Sequence, residues 1–330
     1  MPVVSVLMPV FNAEKYVEEA INSILNQTLK DFELIVLNDA STDASKNVVL
    51  SIQDSRIRYI ENETNQGLAY SRNRLLGEAK GKYIAWLDAD DIAYPTRLEE
   101  ECSFLEDHPG HAMVAGWARL VDADGSPTGT FIKSYIPNRY LSELLLFVNY
   151  FVQSSVMLRR DFLPDVYYRP EYPPTEDYEL WVRIAAKHPV AILPKVMVDY
   201  RIHTTNTSST QQQKSENGVR LNHKTQLEGL GIEPTGEEID LHYAIAFKKA
   251  ESLGFLQSAS DWLQRIEAQN KITGRYEAKS LRFILAHRWM KVCTSNRALG
   301  MEALKIYFKS PFAELNPRNI FLILQYFIKN

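Results

Sequence analysis

Between residues 3 and 110 the chain alternates short apolar runs with helical patterns, and this alternation restricts the fold more than any other feature. Val3–Met8, Phe32–Leu37, Arg56–Ile60 and Lys82–Leu87 read as strands, while Ala13–Asn26, Asp43–Ile52 and Leu68–Ala79 read as helices. Strands joined through helices pair in parallel, and strands with near-continuous apolar runs are covered on both faces. Ligands of such sheets bind beyond the carboxyl ends of the strands. Asn12, Asp39 and the run Leu87-Asp88-Ala89-Asp90-Asp91 all fall at those ends, so they converge on one pocket.

Past residue 110 the pattern becomes mixed. Met113–Val121 leads into the turn Asp122-Ala123-Asp124-Gly125, and Ser154–Leu158 and Val190–Val198 read as further strands. After the polar stretch 203–215 the chain is helical, and Thr235 with Glu238 forms the signature of a capping box. The expected organisation is a domain over 1–208, with a nucleotide-binding half to about 110 and an acceptor-binding half over 111–208, then a helical region over 209–330. The 330 residues are 45% hydrophobic and 24% charged, which is ordinary globular material. A net charge of −4 argues against nucleic-acid binding. Cys102 and Cys293 form no disulfide framework and no zinc pattern, which suits a reducing cytoplasm. No basic leader precedes Val3–Val10, and no run approaches the ~20 apolar residues of a membrane span.

The acidic run carries the first chemistry. A strand places residues two apart on one face, so Asp88 and Asp90 project together and repel unless something neutralises them. A divalent cation does so naturally, because Mg²⁺ is commonly held by one or two carboxylates plus substrate phosphates. A solvated acidic turn before the helix near Pro95 accounts for the same residues. No GxxxxGK or GxGxxG loop is present to neutralise a diphosphate through backbone amides. Asp39 is an acceptor suited to the imide N–H of uracil or thymine or to guanine N1–H, and equally to an Asx-type turn over Asn38–Asp43. Arg72, on the helix preceding the acidic strand, is placed to touch phosphate, to pair with the Asp cluster, or simply to face solvent.

Ser5–Asn12, Gln27-Thr28, Val36–Asp43, Gly67–Asn73, Leu87–Asp91, Thr175–Trp181 and Tyr200–His203 occur in the order and spacing of family-2 inverting glycosyltransferases, and the chain resembles that family over residues 3 to 205. The resemblance implies a GT-A fold, that is, a mixed, mainly parallel sheet flanked by helices. It also implies a nucleotide-sugar donor, with UDP favoured, and a divalent Mn²⁺ or Mg²⁺. Carried over by position, Pro9, Val10, Asn12 and Glu14 match the first nucleotide-contacting loop, and Asp39 the base-contacting carboxylate. Ala69 and Arg72 fall in a further nucleotide-contacting motif. Asp88 matches a position near ribose and metal, Asp90 the principal metal ligand and His203 an auxiliary one. Asp91 is expected to face the donor sugar or to pair with Arg72.

Within the acidic motif Asp177 matches the family's general base, with Glu176 beside the sugars, and an N-cap for the helix Tyr178–Lys187 is the structural alternative. Trp181, one turn on, suits either an acceptor platform or the core. Two other classes stay open, a catalytically silent sugar-nucleotide or glycan binder and a haloacid-dehalogenase-like phosphatase, although 87 residues precede Asp88. The expected acceptor is a glycan or lipid-linked saccharide in surface polysaccharide synthesis. Residues 281–330 hold eight Lys or Arg against two acids, with Met301, Leu304 and Phe308 aligned on one face near Lys305 and Lys309, and an apolar run Ile320–Ile328. This region suits packing on the catalytic domain, a homo-oligomeric contact, or peripheral contact with anionic lipid at the inner face of the membrane.

Overall fold

The computed structural model describes residues 1–204 and 211–314. Its described residues divide into two compact units, one of Met1–Leu141 with Tyr150–Gly218, the other of Ser142–Asn149 with the chain from Val219 onward.

The first unit is built on a nine-stranded sheet: β1 (Val4–Val10), β2 (Phe32–Asn38), β3 (Ile57–Glu61), β4 (Tyr83–Trp86), β5 (Ile92–Ala93), β6 (Met113–Val121), β7 (Pro127–Ile132), β8 (Val156–Arg159) and β9 (Val190–Arg201). The spatial order is β3-β2-β1-β4-β8-β6-β9-β5, with β7 hairpinned onto β6. The pairings β3–β2–β1–β4 and β6–β9 are parallel, while the shorter β4–β8, β8–β6, β6–β7 and β5–β9 pairings are antiparallel. The sheet is therefore mixed and mainly parallel, as expected. β5 and β7 carry no signal of their own in the sequence, β5 because it is two residues long and β7 because it is exposed along its length.

All seven residues of β1 are buried, as a strand covered on both faces requires. One face of the sheet is sealed by α1 (Val17–Leu25), α2 (Ser45–Ser51) and α4 (Arg97–Asp107), whose Val17, Ile21, Ile24, Val49, Leu98 and Leu105 pack on Val6, Met8, Val36 and Ala85. Leu7 and Trp86, out of phase by one residue, point to the other face. There Trp86 meets Tyr168 edge-on at 5.5 Å, and Arg72 of α3 (Leu68–Glu78) lies 5.5 Å over the same Tyr168 ring. Ser5 is a buried hydroxyl in mid-strand: it donates to Glu33 and accepts the Lys80 and Gly81 amides, fixing the turn into β4. A Cβ on Gly81 would stand 2.4 Å from the Ser5 nitrogen, so only glycine fits. α5 (Leu141–Leu144) and α6 (Glu176–Ala185) complete the helices up to residue 204.

From residue 211 the described chain is helical: α7 (Gln212–Gly229), α8 (Gly236–Phe247), α9 (Leu253–Thr273), α10 (Ala278–Cys293) and α11 (Gly300–Lys309). α8 opens with the capping box of Thr235 and Glu238. The expected stripe on α11 is corrected. Leu304 is 3% exposed and packs inward with Ala303 and Tyr307, so Met301 and Phe308 are the exposed apolar residues, beside Lys305 and Lys309. The apolar run Ile320–Ile328 lies outside the described residues. Among the described residues no helix is long and apolar enough to cross a membrane.

Candidate active site

The loops after β1 and β2 are laced together. The Asn12 amide donates to Ser41 Oγ at 3.0 Å and its side-chain oxygen accepts the Thr42 amide at 2.8 Å, while the Glu14 amide donates to Asp43 and the Glu14 carboxylate accepts the Ala44 amide. Asn12 and Ala40 both hold positive φ, 50° and 55°, a conformation costly for any residue with a Cβ and concentrated at functional sites. Asn12 and Glu14 are exposed. Pro9 and Val10 are not: both side chains are enclosed within the central strand, which leaves only main chain at that strand end.

Asp39 is buried and heavily used. Its carboxylate accepts from Asn62 Nδ2 at 2.6 Å and from the Gln66 and Gly67 amides, both at 2.9 Å. It thus shapes the loop that enters α3 at Gly67, whose φ of 85° suits glycine, and Ala69 lies half-buried in the first turn beyond. A carboxylate has about four acceptor positions, so one remains for a ligand.

Arg72 joins the two acidic motifs. Buried on α3, it donates to Glu176 at 2.8 Å and to Asp88 at 3.3 Å. Burial works against its charge, but Asp88, Glu176, Tyr168 and Asp177 together raise its pKa further, so it stays a cation. Ser154 Oγ accepts the Asp88 amide, fixing the loop after β4. Asp177 follows Glu176 in the first turn of α6. It is not the N-cap, a position held by Thr175. Its carboxylate is half-buried and its pKa is pushed up to about 7, chiefly by desolvation; Arg72 opposes this, and Glu176 and Asp88 add to it. A carboxylate poised near neutral pH is suited to taking a proton.

Asp90 Oδ2 lies 3.0 Å from His203 Nε2, and His203 stacks on Tyr16 at 4.7 Å. Burial and then Asp88 raise the Asp90 pKa, while His203 draws it back. Among the described residues no three His, Cys, Asp or Glu side chains gather into a ligand set. The donor chemistry still fits a divalent cation held mainly by its substrate: Asp90 and His203 offer adjacent oxygen and nitrogen ligands, and Asp88 is partly committed to Arg72.

Three expectations are corrected. Asp91 does not meet Arg72; it is enclosed and its Oδ1 accepts the Arg201 amide at 2.9 Å, so it joins the acidic loop to the end of β9 and presents no surface to a sugar. Burial, then Asp90 and Asp88, push its pKa well above the carboxylate range. Glu176 is 1% exposed and serves as the Arg72 counter-ion, so it touches no sugar directly. Trp181 is 0% exposed and meets Tyr168 edge-on at 6.4 Å; it is core, because α6 turns that side toward the sheet.

Sequence reasoning gave no role to Arg201, Ser154, Tyr168 or Tyr16. Arg201 donates to the Asp90 carbonyl, pairs with Glu19 at 2.6 Å and lies over Tyr16. These partners lie far apart in sequence, and only the resemblance of Tyr200–His203 to a family motif marked that strand end.

Residues 5–165 match the model of Glycosyl transferase family 2. A glycosyltransferase of Haemophilus influenzae with no assigned activity is 34% identical over 219 residues, 63% of this chain and 68% of that protein. The chain belongs to glycosyltransferase family 2. Another family member, the Escherichia coli protein named UDP-Glc:alpha-D-GlcNAc-diphosphoundecaprenol beta-1,3-glucosyltransferase WfaP, is 31% identical over 213 residues, 64% of this chain and 82% of its own. The solved structure of S. aureus TarS 1–349 with UDP-GlcNAc superposes with a TM-score of 0.57 at 18% identity, covering 88% of this chain and 90% of that one. That likeness establishes the GT-A fold of this family-2 glycosyltransferase. Membership sets aside the phosphatase alternative.

Proposed function

We propose that this family-2 glycosyltransferase is a metal-dependent inverting enzyme that moves a sugar from a UDP-sugar to a glycan or lipid-linked acceptor. The reading is carried by Asp177, whose carboxyl pKa is pushed up to about 7 by burial, beside a buried Arg72–Glu176 pair. The printed names of relatives support the substrates: WfaP takes UDP-Glc and a diphosphoundecaprenol-linked acceptor, and TarS was solved with UDP-GlcNAc.

In a single in-line displacement the acceptor oxygen bonds to the anomeric carbon as the bond to the diphosphate breaks, and Asp177 takes the acceptor proton. Arg72 keeps a positive charge beside Asp88 and Glu176, which limits how far the Asp177 pKa climbs. Asp90 and His203 would hold Mn²⁺ or Mg²⁺, which supplies charge stabilisation to the departing diphosphate. Asp39 offers its remaining acceptor position to the uracil imide, and the Asn12–Glu14 loop lines the nucleotide. The sheet-bearing part, residues 1–208, carries this chemistry.

Calorimetry with UDP and GDP, with and without Mn²⁺, tests the reading alongside UDP-sugar hydrolysis. UDP should bind with Mn²⁺, more weakly in Asp39→Ala and Asp90→Asn. Tighter binding of GDP contradicts the donor assignment, and Mn²⁺-independent binding contradicts the metal.

A further inference from the structure

With Trp181 in the core, the exposed aromatics among the first unit's described residues are Phe11, Tyr70 and, on and just after the β6–β7 hairpin, Phe131 and Tyr135, and of these places only the hairpin gathers several rings together. The register pairs Ala118 with Ile132 and Arg119 with Phe131, so Trp117, Phe131 and Lys133 share one face of the hairpin. Trp117 meets Tyr135 edge-on at 5.3 Å, and Lys133 Nζ lies 3.8 Å over the Phe131 ring and 5.1 Å over Trp117. Tyr135 is 68% exposed and Phe131 40%. The Trp117 indole N–H is satisfied by the Ser134 carbonyl, which fixes the ring's plane. Lys133 has no carboxylate within ion-pair distance among the described residues.

This face lies on the same side of the sheet as Arg72, Tyr168 and α6. Ala85, Met157 and Val114 align across β4, β8 and β6 and belong to the core on one side of the sheet. Trp86 and Trp117, one and three residues further along their strands, therefore point to the opposite side, where Tyr168, Arg72 and α6 lie. Ser155 Oγ donates to the Gly116 carbonyl, and its neighbour Ser154 holds the Asp88 amide, so the main chain at Trp117 is tied to the acidic loop through two adjacent residues.

We propose that Trp117, Phe131 and Tyr135, with Lys133, form a rail on which the acceptor's sugar chain lies as its terminal hydroxyl approaches Asp177. Sugar rings offer flat C–H faces that stack on aromatic rings, and the Lys133 ammonium held over Phe131 and Trp117 supplies a donor to their hydroxyls. Exposed rings gathered around one ammonium suit a polar, ring-bearing chain better than an apolar protein surface. The proposal rests on the transferase reading and names the acceptor subsite within it.

The test uses tryptophan fluorescence. Of the five tryptophans, Trp86, Trp181, Trp262 and Trp289 are buried, so Trp117 alone is open to acrylamide quenching. Tetrasaccharides of glucose, galactose and N-acetylglucosamine are added to the full chain with UDP and Mn²⁺. At least one should protect Trp117, with affinity lowered several-fold to about ten-fold in Tyr135→Ala and Phe131→Ala, both surface changes. No protection by any of them, or equal protection in both variants, overturns the rail. Protection by anionic phosphatidylglycerol vesicles and not by saccharides also overturns it, in favour of a lipid surface. UDP affinity measured in the same samples separates the two readings: intact UDP binding without saccharide protection removes the rail alone, whereas loss of both removes the UDP-donor reading on which the rail rests.

Discussion

Both units bury ionisable side chains, and they do so to opposite ends. In the second unit the carbonyls of Leu145, Leu146 and Phe147 each receive a buried donor, from Gln226, His242 and His223 respectively, and Trp262 donates to the other His242 nitrogen. Burial holds both histidines neutral, with His242 lowered to about 4 and His223 well below its usual value. These groups are uncharged, enclosed and matched to backbone. In the first unit Asp88, Asp90 and Asp91 after β4 and Glu176 and Asp177 at the start of α6 crowd near two buried arginines, Arg72 and Arg201, and burial raises the pKa of Asp90, Asp91 and Asp177. Neutral, matched polar burial rigidifies a fold, and crowded carboxylates whose pKa values are shifted together mark a candidate site of chemistry.

The contrast is broken most severely at Asp177. Asp177→Asn keeps shape and removes the base, so turnover should fall by about 10²- to 10⁴-fold while UDP affinity stays nearly unchanged. Retention of near-normal turnover would return Asp177 to a structural role. Next in size is Arg72→Ala, which strands the enclosed Glu176 without its partner and should cost about 3–5 kcal/mol in denaturant unfolding. A loss under 1 kcal/mol would mean that the pair is not buried as described.

Substitutions in the second unit should act on stability alone. His242→Phe leaves the Leu146 carbonyl and the Trp262 N–H unpaired, at about 1–3 kcal/mol for each group. The acid response provides a further check. Because folding lowers the His242 pKa, the unfolded chain binds more protons between about 4 and the ordinary 6.5, and stability drops as pH falls through that window. His242→Phe should flatten this drop, and an unchanged pH dependence would contradict the neutral assignment. The smallest effect is expected at Ala40, whose φ of 55° favours glycine: Ala40→Gly should stabilise by a few tenths of a kcal/mol up to about 1 kcal/mol, as relief of backbone strain outweighs the added chain freedom. Destabilisation would show that strain is not stored there.

Much of this contrast was legible in the sequence. Four parallel strands, their helices and the acidic strand end follow from periodicity, because a strand buried on both faces needs a continuous apolar run. Asn12, Asp39, Asp88 and Asp90 were singled out because they end those strands, Arg72 because its helix precedes the acidic strand, and Asp177 through the family resemblance of Thr175–Trp181. Periodicity marks the faces of an element and leaves the partner unnamed. For that reason Trp181 was open to both a platform and the core, Asp91 was open to the donor sugar or Arg72 where the structure pairs it with the Arg201 amide, and Leu304 was set beside Met301 and Phe308. The packing of Ser142–Asn149 with the second unit was equally hidden, since its carbonyls carry no sequence signal and their donors lie 76 to 96 residues away.

The central claim is that Asp177 is the base and that burial sets its proton near neutrality. Folding raises its pKa from 3.8 to about 7, so the folded state holds a proton that the unfolded chain releases, and this contribution to stability is lost as pH rises through about 7. Catalysis needs the opposite state, with the proton gone. The deciding measurement is kcat/KM for UDP-sugar hydrolysis between pH 5 and 9, where water replaces the acceptor. The account expects the rate to rise about tenfold per pH unit to a plateau above an apparent pKa of about 7, with this limb absent in Asp177→Asn. A flat profile across pH 5 to 8, or the same rising limb in Asp177→Asn, would contradict it.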